Sequence, residues 1–260
     1  MTLGCKRNKP ALPLQDSTPE YPKAKSVPAP AKVEAQRDAS LAIFPIEHAS
    51  AVLEWKDIVI YIDPVGGAKA FAGYRPPDLI LITDIHDDHL HVETLLALDT
   101  QRAKIIVPQA VADKLPVAFI PQVDVLANGD SKTRYGITIT AVPMYNLREE
   151  AIQFHSKGRG NGYVLDRGGQ RLYFSGDTED IPEMRGLQNI DKAFVCMNLP
   201  YTMPVERAAD AVLEFKPKQV YPYHYRGNPK VSDVGQFKRL VEAGDPNIEV
   251  IQLDWYPEDE

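Results

Sequence analysis

Eight consecutive positions, 84 to 91, hold three carboxylates (Asp84, Asp87, Asp88) and three imidazoles (His86, His89, His91). They follow directly on an apolar run, residues 79–83, that reads as a buried strand. Imidazole nitrogen mixed with carboxylate oxygen suits Zn²⁺, Fe or Mn²⁺ better than Ca²⁺ or Mg²⁺. Residues two apart on an extended chain point the same way, so Asp84, His86 and Asp88 are expected to share a face, with His89 at the first turn beyond. Four such groups at one strand end can reach two ions a few ångströms apart. A solvated acidic loop with histidines by chance is the bland alternative. It fits poorly with six histidines in 260 residues and a buried strand just before the cluster. Asp87 and His91 read as bystanders, His91 as a structural residue of the following helix.

The remaining histidines are His48, His155 and His224, and most fall at strand ends beside polar or glycine-rich sequence. Asp177, in Ser175-Gly176-Asp177-Thr178, ends another strand, and His224 a further one. Groups of this kind at the ends of different strands make one pocket. Weaker signals surround them. Tyr145, Tyr201 and Tyr223 lie near the motifs and could donate to an oxyanion, although tyrosine more often packs. Arg226, Lys157 and Arg159 could contact an anion, with a solvated basic loop as the alternative for the last two. His48 reads as a residue supporting the ligands from behind or as a satisfied strand-end histidine. Cys196 sits in an apolar run and reads as a buried thiol.

The elements that must position these groups are legible at coarse grain. Strands are expected at 41–46, 51–55, 58–62, 79–83, 104–107, 123–126, 137–142, 162–165, 171–174, 193–197, 219–223 and 248–253, and helices at 90–98, 109–115, 205–215 and 234–243. Asp166-Arg167-Gly168-Gly169 is a hairpin turn signal. The stretch Gly158-Arg159-Gly160-Asn161-Gly162 has no strand running into it and no helix after it, which excludes a dinucleotide loop. It reads instead as a flexible loop near the site. Many strands followed by strands alternating with helices predict an α/β (α+β) fold of two sheets covered by helices.

With these motifs in place the chain resembles the metallo-β-lactamase superfamily, whose fold is a four-layer αββα sandwich with metals at the sheet edges. That family's first motif is His-x-His-x-Asp-His. Here Asp84-Ile85-His86-Asp87-Asp88-His89 matches at His86, Asp88 and His89 and departs at Asp84. Ile62-Asp63-Pro64, Ser175-Gly176-Asp177-Thr178 and the late His224 match in order and spacing. The resemblance covers residues 41–260 and is nearest to the bacterial branch with ascorbate-6-phosphate lactonase and the phospholipase D acting on N-acyl-phosphatidylethanolamine. It implies a hydrolase with two divalent ions, zinc foremost and Mn²⁺ or Fe²⁺ as alternatives, using a metal-bridging hydroxide on an ester, lactone or phosphodiester. Asp84, His86 and His155 would hold one ion, Asp88, His89 and His224 the second, and Asp177 would bridge. Asp88 would also orient the nucleophile and pass its proton. Asp84 is open to a second reading, as the partner that orients His86. Asn146 stands where a histidine is usual, and His155 is the candidate replacement. His48, Asp63, Asn146, Tyr145, Tyr201 and Arg226 are the supporting or substrate-contacting candidates.

Composition narrows the rest. A net charge of −7 argues against a nucleic-acid partner and leaves a small-molecule substrate. It also weighs against a nuclease of the same fold. A catalytically idle metal-binding surface lipoprotein remains an alternative, because residues 1–40 form a distinct segment with six prolines, seven Lys+Arg and four Asp+Glu. Such a segment is expected to be a disordered tether before a hydrolase domain at 41–260. Thr2-Leu3-Gly4-Cys5 resembles the end of a bacterial lipoprotein signal, so membrane attachment through a lipidated Cys5 in the periplasm or at the cell surface stands beside a cytoplasmic reading.

Overall fold

The computed structural model describes Met1, Gln36–Asp38 and residues 40–256. Cys5, with the anchor expected there, lies outside the described residues, as does most of the 1–40 segment. Of that segment β1 (Gln36–Asp38) is described, and it pairs antiparallel with β2. Among the described residues no helix is long and apolar enough to cross a membrane.

Two seven-stranded sheets carry the fold. The first is β1, β2 (Leu41–Glu47), β3 (Ser50–Trp55), β4 (Ile58–Ile62), β5 (Leu79–Leu81), β6 (Lys104–Val107) and β7 (Val123–Val125), in that order. The second runs from β8 (Ser131–Arg134) and β9 (Ile137–Met144) through β10 (Gly160–Arg167), β11 (Gln170–Phe174), β12 (Lys192–Cys196) and β13 (Gln219–Tyr223) to β14 (Glu249–Val250). Each sheet begins as an antiparallel meander and ends in parallel strands. The parallel crossovers carry helices: α1 (Gly67–Ala70), α2 (Val92–Ala97) and α3 (Gln109–Ala112) in the first half, α4 (Pro182–Arg185), α5 (Val205–Phe215) and α6 (Val234–Gly244) in the second.

The layering follows from strands that are apolar on both faces. All five residues of β4 are buried. Ile58, Ile60 and Ile62 join the core between the sheets, while Val59 and Tyr61 pack outward with Phe71 just after α1, Leu95 of α2 and Val111 of α3. Beyond the second sheet, Ala208, Val212 and Phe215 of α5 and Phe237 and Val241 of α6 close the core. This is the αββα sandwich that the sequence predicts. The β10–β11 turn is Gly168-Gly169, both at positive φ (63° and 86°), as a two-residue right-twisted hairpin requires.

Two expectations are corrected. The strand expected over 79–83 ends at Leu81, and the cluster beyond it is a turn in which His86 O accepts from both His89 N (2.9 Å) and Leu90 N (2.8 Å). The acidic-histidine motif is therefore coiled on itself rather than extended. The glycine-rich stretch is also no flexible loop from Gly160 onward, since Gly160 to Gly162 open β10 and are buried. A Cβ on Gly162 would stand 2.7 Å from Ser175 O and 2.9 Å from Phe174 O, and one on Gly160 2.9 Å from Thr83 O. Glycine here permits close backbone approach. That approach ties the halves together: Asn161 N donates to Thr83 O (3.0 Å) and Tyr163 Oη to Ile82 O (2.9 Å).

Candidate metal centre

The ends of β5, β11, β12 and β13, the β2–β3 turn and the loop between β9 and β10 converge on one point. The turn after β5 sorts its four donors into two directions. Asp84 and His86 fall in with His155, whereas His89 falls in with Asp177 and His224, and Asp88 with His224 and His48; the ligand atoms within each group lie within 4.8 Å of one another. Asp177 lies among the groups, with Oδ2 3.2 Å from His155 Nε2 and 3.5 Å from His89 Nε2, and Oδ1 3.3 Å from His224 Nε2. Asp88 Oδ2 is 3.3 Å from His224 Nε2. The motif brings Asp84, His86, Asp88, His89, His155, Asp177 and His224 together and leaves Asp87 exposed outside.

Hydrogen bonds behind the rings set which nitrogen faces inward. Asp63 is fully buried; its Oδ2 accepts from Thr83 Oγ1 (2.6 Å) and from His89 Nδ1 (2.9 Å), and its Oδ1 from Thr83 N (2.7 Å). With its proton on Nδ1, His89 presents a lone pair at Nε2, the carboxylate–histidine arrangement that orients metal ligands. His155 does the same with a backbone carbonyl, Nδ1 donating to Tyr201 O at 3.2 Å. Asn146 anchors that loop through Nδ2, which donates to Ala151 O (2.8 Å) and Tyr201 O (2.7 Å) beside the His155 ring. His155 thus reaches the cluster from the loop between β9 and β10, and Asn146 braces it. Glu179, also buried, clasps the same loop by accepting from Leu147 N, Arg148 N (2.9 Å each) and Arg148 Nε (2.6 Å).

The residues present fit a cation. His89 Nε2, His155 Nε2, Asp177 Oδ1 and His224 Nδ1 are buried with no hydrogen-bond partner, which is costly unless something else satisfies them. The electrostatics point the same way. Burial alone would lower the pKa of His224, yet Asp177 and Asp88 raise it to about 9. Burial likewise opposes charge on His89, and Asp177, Asp63 and Asp88 overcome it to raise the pKa well above the ordinary value. Asp177 mirrors them: burial would raise its carboxyl, but His224, His89 and His155 hold it well below the usual range. The field of the pocket favours positive charge, supplied by protons when no ion is bound. His48, Asp63 and His224 also sit at positive φ (50°, 41° and 45°), strain that clusters at functional sites.

The position where the first motif departs from pattern has its own partner. Asp84 is fully buried; Oδ1 accepts from Arg159 Nε (3.1 Å), and Oδ2 accepts from Arg159 Nη2 (2.8 Å) and His86 Nδ1 (2.7 Å). Sequence reasoning placed Arg159 as an anion contact and missed this pairing, which spans 75 positions. It missed Asn198 as well, whose Nδ2 lies 3.3 Å from His224 Nε2 and 3.5 Å from Asp177 Oδ2. The only signal for Asn198 was a polar residue just beyond a buried strand.

The other candidates take varied places. His48 is edge-on to His224 (ring centroids 5.6 Å apart) and to Tyr256 (5.5 Å), at the rim beside Asp88. Arg226 stacks on Tyr256, 4.2 Å from its centroid. Tyr201 contributes its carbonyl to the site. The Tyr145 hydroxyl is engaged away from the centre, donating to Glu183 (2.9 Å) and accepting from Lys157 (3.2 Å). Tyr223 Oη accepts from Gly176 N (2.9 Å) and supports the Asp177 turn. His91 caps α2 by accepting from Thr94 N. Burial pushes the Cys196 thiol up to about 12, consistent with a core residue.

Comparison with known proteins gives the same outline. A family model for the β-lactamase superfamily domain matches residues 43–224. A protein of Thermococcus onnurineus described as a metal-dependent hydrolase is 32% identical over 192 residues, which is 70% of this chain and 84% of the relative. Among solved structures, a Parabacteroides distasonis protein assigned to the metal-dependent hydrolases superposes with a TM-score of 0.77 at 34% identity, covering 86% of this chain and all of that one. The metallo hydrolase Igni18 of Ignicoccus hospitalis shares the fold at a TM-score of 0.70 and 22% identity, over 82% of this chain and 95% of its own.

Proposed function

The chain belongs to the β-lactamase superfamily and is a metal-dependent hydrolase, and from that premise we propose that it hydrolyses an ester, lactone or phosphodiester of a small or lipid-like substrate at a two-ion centre. The observation that carries the reading is the set of buried, partnerless atoms His89 Nε2, His155 Nε2 and Asp177 Oδ1, gathered with His224 Nε2 around the Asp177 carboxylate between two groups of candidate ligands. His89, His224, Asp88 and Asp177 would hold one ion, and His86, His155, Asp84 and Asp177 the other. Zinc is the first expectation from this mixture of imidazole and carboxylate, with Mn²⁺ or Fe²⁺ favoured by the carboxylate at Asp84. When bound, the ions supply Lewis acidity: they acidify the attacking water and polarise the bond under attack.

The chain's own residues do the rest. Asp63 and the Tyr201 carbonyl engage Nδ1 of His89 and of His155, which turns each Nε2 inward as the atom an ion would take. Asp177 holds the two ligand groups at a fixed separation. Asp88, half-buried at the rim and held ionised by His89 and His224 against the opposing effect of burial, would orient the attacking water and accept its proton. His48 and Arg226 border the same rim, where a substrate anion would arrive.

The test is metal analysis of the purified protein together with turnover of a lactone, a phosphodiester and a β-lactam, using Asp177→Ala as control. About two ions per chain and turnover that Asp177→Ala abolishes are expected. Less than one ion per chain with no Asp177-dependent turnover would sink the proposal.

A further inference from the structure

The two ligand groups are not equivalent. Each side of Asp177 has a facing imidazole nitrogen without a hydrogen-bond partner, His89 Nε2 on one and His155 Nε2 on the other. On the His155 side, however, the carboxylate of Asp84 is already engaged. Its oxygens take the fork of Arg159, and Oδ2 also takes the proton of His86 Nδ1. A carboxylate oxygen accepts about two hydrogen bonds, so Oδ2 is full and only one lone pair of Oδ1 remains. Arg159 is itself fixed, its Nη2 donating to Phe154 O as well, and its side chain is only 18% exposed. A fork-on-fork pair of this kind is the strongest form of the interaction.

The charge count explains why the pair exists. Asp84 stands where the motif of the resembling family has a neutral imidazole. A buried carboxylate there would be costly without a partner. Arg159 returns the local charge to that of the imidazole, but it does so with a permanent cation pressed against a ligand position. An ion entering this side must compete with the guanidinium for Asp84 and bear its repulsion.

We propose that the Asp84–Arg159 pair makes the ion on the Asp84–His86–His155 side exchangeable, with Arg159 as the residue that sets its affinity, while the ion held by His89, Asp177 and His224 stays resident. The inference rests on reading the centre as a metal site. In the absence of the exchangeable ion, Arg159 neutralises Asp84 and keeps the loop from Phe154 to Arg159 in place. The ion and the guanidinium are alternative counter-charges for one carboxylate.

The test is chelator-competition titration of the metal-free full chain with Zn²⁺ and Mn²⁺, with thermal unfolding followed in parallel. Wild type should bind one ion tightly and a second at least tenfold more weakly. Arg159→Met should tighten the second ion at least tenfold and leave the first within about threefold, a tenfold change corresponding to about 1.4 kcal/mol. Arg159→Lys, which keeps the charge, should leave the second ion weak. In its metal-free form Arg159→Met should melt below wild type, and two ions should remove the difference. If Arg159→Met does not fold, Asp84→His decides. With Arg159 retained it should lose the second ion, and with Arg159→Met added it should bind two tightly. Equal affinities for both ions in wild type, or no tightening in Arg159→Met and in the double variant, would overturn the inference and leave the metal centre standing. No ion bound by any variant would overturn both.

Discussion

Replacing Asp63 by Asn changes one atom and should misdirect a ligand 26 positions away. Thr83 N can only donate, and it donates to Oδ1 at 2.7 Å. The amide oxygen of an Asn must therefore take that place, which puts the NH₂ group opposite Thr83 Oγ1 and His89 Nδ1, where Oδ2 accepts at 2.6 and 2.9 Å. Two donors cannot share that contact, so the His89 proton moves to Nε2, the atom that faces Asp177 at 3.5 Å. A protonated Nε2 cannot ligate. Losing the orienting partner of a ligand typically costs about 10–100-fold in metal affinity, or about 1.4–2.7 kcal/mol. The Thr83 contacts survive, so metal-free stability should change by no more than about 1 kcal/mol. Asp63→Ala differs. It strips the acceptor from three buried donors and should cost about 3–5 kcal/mol of stability as well. Chelator competition measures the first quantity and urea unfolding of the metal-free protein the second. An Asn variant that folds and keeps wild-type affinity would refute the tautomer argument. Equal unfolding midpoints for the Asn and Ala variants would refute the hydrogen-bond count.

Further outcomes follow from the same geometry. In the metal-free protein His224 has a pKa raised to about 9 against about 6.5 when unfolded, so the stability it supplies is complete below about pH 6.5 and is lost as the pH rises towards 9. Urea midpoints of metal-free protein should fall over that window, and bound metal, which takes the proton's place, should flatten the curve. Gly162→Ala forces a Cβ to within 2.7 Å of Ser175 O, two residues before Asp177, and should destabilise by about 1–3 kcal/mol and weaken metal retention, read by thermal unfolding and metal analysis. Glu179→Ala leaves Arg148 Nε and two backbone donors, Leu147 N and Arg148 N, without their acceptor. The 147–157 loop should become the first site of proteolysis, with metal loss following, while β12 and β13 stay protected in hydrogen exchange.

How much of this was legible depends on how local the cause is. β6, α5 and β13 fall where apolar periodicity puts them, because their burial is decided by their own residues. β8, Ser131–Arg134, carries no apolar pattern; it is an edge strand held by β9 and by the Arg134–Asp124 pair (2.7 Å), which no periodicity reveals. The strand expected over 248–253 shortens to Glu249–Val250, because the chain leaves the sheet to lay Trp255 against Tyr223 and Tyr256 against His48. In the site, residue types and order located the donors, since carboxylates and imidazoles at strand ends are a local signal. Their sorting into two groups was not local, for it depends on how the turn after β5 closes. Nor could the role of Arg159 be read from its neighbours, which suggested a solvated basic loop.

The seam between the sheets gives the centre a place in the folding order. Asp84, His86, Asp88 and His89 come from the first half of the fold, and His155, Asp177 and His224 from the second. Among the described residues neither half alone offers a closed set of donors, so an ion held by this centre would be retained only after the two sheets have docked. It then acts as a cross-link between them, and its binding free energy becomes stability of the docked state. Added metal should therefore slow unfolding strongly and leave the refolding rate of the metal-free chain nearly unchanged. An ion that speeds refolding would mean instead that one half recruits it before the other arrives.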